Sequence, residues 1–434
     1  MIEAMLLAFG LVLSTTSQLR IAGAGVGPGE ICLVLFVIAR LCGEAFRLGP
    51  RVTPVVFRLF VFWTLFAIAQ CIGTLTGYVI GDRHDPELFR HDVIAYLLLA
   101  AFSLLSVVEP GAGPRLHQTA WFIAVIGAVT LALQLGNAFG LIDVSGVDPW
   151  YWDRLRGWSE NPNQLAIFCA VHALVSLHLA EVAAGRWARV GAILCASVAV
   201  VAGRLSQSDT FSLVLVTAVP IFVAFKLRAW LPSPERKLSL RTASALIASL
   251  ALPVLLISAV PLGYALAVQA EGFAKDMSKE NGKAADREAQ LRFQLWNQAI
   301  ERGLESGMLG LGPGPHLEIP AVIVAARMSE DGPKHIEHPQ NNSTPNFEAH
   351  TTLLDLFTQG GLIAVLSFIW LTASTFMATY RAQLCALSTL LLGLATFAVF
   401  HLIVRQPLFW FAISLCLVAG ADMRAASPVR ERSS

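Results

Sequence analysis

In the stretch "NFEAHTTLLDLFTQGGLIAVLSF", His350, Thr351, Thr352 and Asp355 stand at the mouth of a long apolar run. On a helix beginning near His350, Thr351, Asp355 and Thr358 share one face, as do Thr352, Asp355 and Gln359. A neutral imidazole in that position suits a general base acting on a hydroxyl near neutral pH, with Asp355 one turn deeper as its orienting neighbour. The same residues also read as interfacial hydrogen-bonding groups. In either reading the face turns into a bundle, because an ionisable group facing lipid is costly. Gly360 and Gly361 permit close helix approach or a kink behind it.

Arginines gather around comparable boundaries. "WYWDRLRGWSENPNQLAIF" supplies Arg154 and Arg156 amid an aromatic belt. Asn161 and Pro162 there fit an N-cap followed by proline at the first helical position, so Asn163 opens a helix whose free N–H groups suit a phosphate. Arg204 follows in "VVAGRLSQSDTFSLV", among Ser206, Ser208, Asp209 and Thr210. Arg292 lies one turn from Trp296, Arg302 follows, and Arg405 opens the last apolar run with His401 a turn before it. Each alone reads as an anchor snorkelling to the surface. Together they describe a cationic pocket at the level of lipid head groups. No metal is expected: His335, His338 and His350 lack a regular ligand spacing, and "GDRHDPELFRHD" reads as a solvated turn. No Walker loop occurs, and no cofactor is expected.

The elements that must hold these residues are membrane helices. The chain is 55% hydrophobic and only 14% charged, with a mean hydropathy of +0.63. Ordinary globular domains carry about a quarter charged residues. The net charge of +1 suggests neither nucleic acid nor a polyanion as partner. All seven cysteines fall in apolar runs without a CxxC pair, so a disulfide framework is not expected. Runs long enough for about 30 Å of hydrocarbon lie near 4–19, 28–46, 56–80, 92–109, 117–139, 163–184, 188–203, 208–228, 242–269, 351–379, 383–403 and 407–423. The first is read as a membrane helix rather than a signal peptide, since Glu3 stands where a basic segment belongs. The span at 188–203 is the shortest. The expectation is an all-α polytopic protein with about twelve transmembrane helices.

Basic residues flank the even-numbered connections about twice as densely as the odd ones, which predicts both termini in the cytoplasm. A loop over 270–350 then lies on the outer face, its first half helical, with Leu291, Leu295, Trp296, Ile300 and Leu304 at helical spacing. The implied organisation is N-terminal helices over 1–140, a core over 141–380, C-terminal helices over 381–423 and a tail over 424–434.

The order of three segments resembles one family. "RLRGWSENPNQLAIF", "LRFQLWNQAIERGLESGMLGLGPGPH" and "EAHTTLLDLFTQGGLIAVLSF" look like the Asn-Pro-Asn entry, the Arg-x-x-x-Trp…Gly-x-Gly loop and the histidine helix of bacterial O-antigen ligases and related O-antigen and exopolysaccharide polymerases. The resemblance covers about 150–375. The family usually has asparagine after the histidine, where Thr351 stands, and Ser-Arg where Gly203 and Arg204 stand.

The resemblance implies an inner-membrane glycosyltransferase with its active site facing the periplasm. It would move a glycan from a polyprenyl (undecaprenyl) diphosphate donor onto an acceptor sugar hydroxyl without a metal. His350 would be the base. Arg204 and Arg292 would grip the diphosphate, with Arg156 behind them, and Asp355, Arg405, Trp296 and Asn163 would support them. The acceptor is either a lipid A core, as in lipopolysaccharide ligation, or another lipid-linked repeat, as in polymerisation. Arg292 with Gly303 matches an Arg-x10-Gly spacing described for polymerase loops, but no second copy occurs. The alternative is a transporter or flippase of lipid-linked glycans, which predicts internal repeats and charges at mid-membrane. The polar groups instead collect at the ends of the spans.

Overall fold

The computed structural model describes residues 1–20, 26–45, 52–82, 85–108, 111–230, 292–318 and 347–426. The helices in chain order are α1 (Ile2–Leu13), α2 (Pro28–Ala45), α3 (Pro54–Ile80), α4 (Pro86–Val107), α5 (Ala112–Ala138), α6 (Pro162–Val182), α7 (Arg186–Leu205) and α8 (Asp209–Trp230). After them come α9 (residues 292–305), α10 (Thr352–Arg381), α11 (Cys385–Phe400) and α12 (Pro407–Ala426). A two-stranded hairpin, β1 (Trp150–Tyr151) and β2 (Arg154–Leu155), precedes α6.

Three helix starts follow one local rule. Thr53, Asp85 and Asn161 each accept a hydrogen bond from the first-turn backbone, and a proline follows each of them. Proline costs nothing there, because its missing N–H would have had no helical partner. Among the described residues, eight helices (α3 to α8, α10 and α12) are long and apolar enough to cross a membrane. The expected short span at 188–203 is a full 20-residue helix. The expected first span is shorter than 4–19: α1 stops at Leu13, and a 3-10 turn covers Ser17–Leu19. The hydroxyls of Ser14, Thr15 and Thr16 donate back to the carbonyls of Leu11, Val12 and Leu13, which competes with continued helix. The expected span at 242–269 lies outside the described residues, as does most of the 270–350 loop with His335 and His338.

Without a hydrophobic force between helices in lipid, packing and hydrogen bonds must join them. α6 sits deepest, 83% buried over its apolar window. Phe62 and Trp63 of α3 meet Trp410 of α12, with the Trp63 and Trp410 rings 4.3 Å apart. The Trp63 indole donates to Ser103 on α4 at 2.9 Å.

The two ends of the bundle are set by polar contacts. At one end Glu3 meets Arg40 and Arg115, and Gly113 lies against Asp422. The start of α1 and the end of α12 therefore share an end. At the other, the Gln18 amide donates to the carbonyls of Gly157 and Ser159, Asp82 meets Arg302 and His316, and Asp92 meets Arg405. His350 stands at this second end.

Candidate active site

α10 is not one helix. At Gly361 the backbone takes φ 61 and ψ −158, which leaves the helical region altogether. Such a break strips carbonyls and N–H groups of their partners, and in a membrane they must be satisfied within the protein. The "MLGLGPG" segment does this. Leu311 and Gly312 donate to the carbonyls of Thr358 and Gln359 at 2.8 Å each, and Leu362 donates to the Met308 carbonyl at 3.0 Å. Glycine is required on both sides of this contact. A Cβ on Gly310 would lie 2.4 Å from the Gln359 carbonyl oxygen, and one on Gly73 of α3 would lie 2.3 Å from it. The break is thus closed by the protein's own backbone, unlike the open helix breaks with which transporters coordinate ligands.

The first half of α10 carries the histidine. Asp355 is buried and accepts hydrogen bonds from the backbone N–H of Ala349 at 2.7 Å and of Thr351 at 3.2 Å. These bonds fold the chain back at His350, which adopts φ 54, an uncommon conformation for a residue with a Cβ. Asp355 therefore shapes the bend in the backbone rather than bonding the imidazole. The ring leaves the bend toward the surface, edge-on to Phe347 at 5.2 Å. Thr351 and Thr352 fasten the bend to the far side of the site. Their hydroxyls donate to the carbonyls of Val399 and His401 at 3.0 and 2.6 Å.

Beneath the bend, α9 packs Leu295 and Ala299 against Leu317 and Ala349. Its residue Arg292 lies over the Phe400 ring, 5.7 Å from the centroid. Partial desolvation lowers the His350 pKa below the ordinary imidazole value; Glu348 opposes this and Arg292 adds to it. His401, which meets the Thr210 hydroxyl at 3.2 Å, is pushed down to about 4 by burial, by Arg292 and His350, and by Arg154. Arg292 thus brings its charge to bear on both imidazoles, and Arg154 on His401.

The hairpin decides which arginine of "RLRG" faces this group. Arg154 donates to the Ser206 carbonyl at 3.1 Å and to Asn163 Oδ1 at 3.2 Å, and Asn163 Oδ1 also accepts from Ser208. Arg156 points elsewhere, to Asp148 at 2.9 Å, with its guanidinium over Tyr151. Only Arg154 lies in β2, which ends at Leu155, so strand alternation does not relate it to Arg156; the sequence reading places Arg156 behind the diphosphate arginines. Arg204, exposed at the end of α7, donates to Ser212 at 2.5 Å and lies two residues from the carbonyl that holds Arg154. Arg405 is committed to structure: it pairs with Glu348 at 2.6 Å and Asp92 at 2.5 Å, and these carboxylates raise its pKa further. Arg302 is likewise held by Asp82 and Glu305. His401 was named in the sequence only as a neighbour of Arg405; nothing in its spacing marked it as facing His350.

Beside the bend opens an apolar cavity of about 650 Å³. Trp296, Ile300 and Thr351 form its mouth, and it runs down between α10 and α11 past Phe368, Leu391 and Phe409. Among the described residues no group of three His, Cys, Asp or Glu side chains is placed to hold a metal ion.

The family model described as O-antigen ligase matches residues 190–369. Over these residues the chain is similar to O-antigen ligases. Comparison with curated proteins and with solved structures yields no match. The matched domain runs from α7 through the break in α10, so it holds Arg204, Arg292, Trp296, the closing glycines, His350 and Asp355. Arg154, Asn163, His401 and Arg405 lie outside it and complete the same end of the bundle. Together with the eight apolar helices, the match fits a polytopic helical membrane protein.

Proposed function

We propose that the protein transfers a glycan from a polyprenyl-diphosphate donor in a bacterial inner membrane onto a sugar hydroxyl at the periplasmic face. The observation that carries this reading is the juxtaposition of a low-pKa histidine, two guanidiniums and a lipid-sized apolar cavity at one membrane boundary. His350 accepts the proton of the acceptor hydroxyl as its oxygen attacks the anomeric carbon. The bond from that carbon to the donor phosphate breaks, and the polyprenyl diphosphate leaves with the bonding electrons. Arg292 and Arg154, with Arg204 beside them, stabilise the charge on the leaving phosphate oxygens. Trp296 and the cavity walls hold the first isoprenes.

The reacting form of His350 is neutral, and a pKa below the ordinary imidazole value leaves most of it proton-free at pH 7. Transfer should be flat from pH 7 to 8 and fall only as acid carries the medium through a pKa below 6.5. A fall centred above pH 7 would contradict the assignment. An Arg292→Lys enzyme keeps the charge but loses the planar fork, so its turnover should drop by on the order of 10². Wild-type rates there would remove Arg292 from the diphosphate site. Reconstitution with polyprenyl-diphosphate glycan, offered with a lipid A core or with donor alone, tests the reading itself. A single transferred unit on the core marks a ligase, lengthening of lipid-linked glycan marks a polymerase, and no transfer in either arm refutes both.

A further inference from the structure

We propose a second site, at the opposite end of the bundle from His350, that holds the phosphate headgroup of an anionic phospholipid between Arg228 and Arg381. A cavity of about 220 Å³ opens there between the end of α8, the end of α10 and the start of α11. Phe225, Arg228, Tyr380, Arg381, Gln383 and Ser388 line it. Nothing in the glycan-transfer reading uses it.

The cavity is built rather than left over. Tyr380 is stacked on Phe376 at 5.8 Å and edge-on to Phe225 at 5.5 Å, which fixes its ring. The Arg228 guanidinium lies over that ring, 4.1 Å from the centroid. A guanidinium stacked by its face keeps its in-plane N–H donors free for an anion. Arg381 ends α10, before a short connection in which Gln383 takes φ 56 and Ala382, Gln383 and Leu384 donate back to carbonyls of the last turn. The Arg228 side chain is therefore held at the cavity by Tyr380, and Arg381 lines it from a fixed backbone.

No acid among the described residues neutralises them, in contrast to three other cations of this end. Arg40 and Arg115 are paired with acids, and Lys226 is paired with Glu181. Among the described residues neither Arg228 nor Arg381 meets a carboxylate. Glu181, the nearest acid on α6, is already engaged by Lys226 and by the Ala386 N–H at 3.0 Å.

The surroundings favour a lipid over a soluble anion. Val216 and Val219 on α8 and Met377 on α10 are exposed and apolar, one or more turns toward the bundle centre from the arginines. A headgroup at the guanidiniums would leave acyl chains along these side chains, whereas free phosphate would leave them bare. Basic pockets between helices at a membrane boundary recognise anionic head groups in this way.

The test uses purified full-length protein and native mass spectrometry, titrating phosphatidylglycerol or phosphatidylcholine with the same acyl chains. The wild type should prefer phosphatidylglycerol by about tenfold. The Arg228→Gln/Arg381→Gln protein should lose that preference, while Arg424→Gln, at the same end, should keep it. If the double variant does not reach the membrane, each single variant should lose part of the preference. An unchanged preference in the glutamine variants, or an equal loss in Arg424→Gln, would overturn the site. Displacement of the lipid by millimolar inorganic phosphate would overturn the lipid as its occupant. Glycan transfer is read separately, so failure of this site leaves the His350 reading standing.

Discussion

A His350→Ala protein is expected to reach the membrane at wild-type levels and to lose glycan transfer by roughly 10²- to 10⁴-fold, the range a general base supplies. The fold should tolerate the change because the bend at residue 350 is held by Asp355 through the N–H groups of Ala349 and Thr351, not by the imidazole. The ring itself is exposed and makes only an edge contact with Phe347. Alanine still has to adopt φ 54, which costs about 1 kcal/mol, less than would unfold the protein. Transfer is measured with polyprenyl-diphosphate glycan in vesicles, beside a melting curve of the same preparation. Substantial transfer with normal melting would remove His350 as the base and leave the arginines to act on a water-assisted attack.

The largest effect on stability belongs to Gly361→Ala. Its φ and ψ lie in a region that essentially only glycine enters, and a Cβ there would stand 2.1 Å from the Met308 carbonyl oxygen. That carbonyl accepts the Leu362 N–H, so backing away breaks the bond that starts the second half of α10. Strain and the lost bond together should cost about 3 kcal/mol or more. The check is thermal unfolding in detergent, with Gly191→Ala as control because no atom lies within 4 Å of its added Cβ. The control should melt like the wild type. An equally unperturbed Gly361→Ala would mean that the break in α10 is not the ground state.

Much of the site was legible because local chemistry placed it. Asn161 with Pro162 marked the start of α6, and the polar cluster at 350–355 marked the mouth of α10. Thr351, where the resembling family has asparagine, was unexplained by sequence; it serves a partner 48 residues away, the Val399 carbonyl. Asp355 was read as the neighbour of an imidazole, yet it bonds the backbone on either side of that residue. Spacing along a helix shows which side chains share a face, but not whether a carboxylate finds a ring or an N–H first. Arg154 and Arg156 show the same limit: residues two apart share a face of a regular strand, but β2 ends at Leu155, and only the fold sends Arg154 to Asn163 and Arg156 to Asp148.

By itself the sequence determined that most of the chain lies in lipid and that its polar groups gather at the ends of spans. Transfer of apolar residues from water is additive along a helix, so composition suffices for that conclusion. It also carried, in order, three segments that resemble those of O-antigen ligases. Only the tertiary structure decided that α10 breaks at Gly361 and that the "MLGLGPG" segment closes the break. It alone brought Arg292 and His401 to His350, and Arg154 to His401. Those contacts join residues far apart in the chain, and their existence depends on how closely two backbones approach. Glycines 73, 310, 312 and 361 permit that approach, but a glycine in a sequence does not name the backbone it lets in.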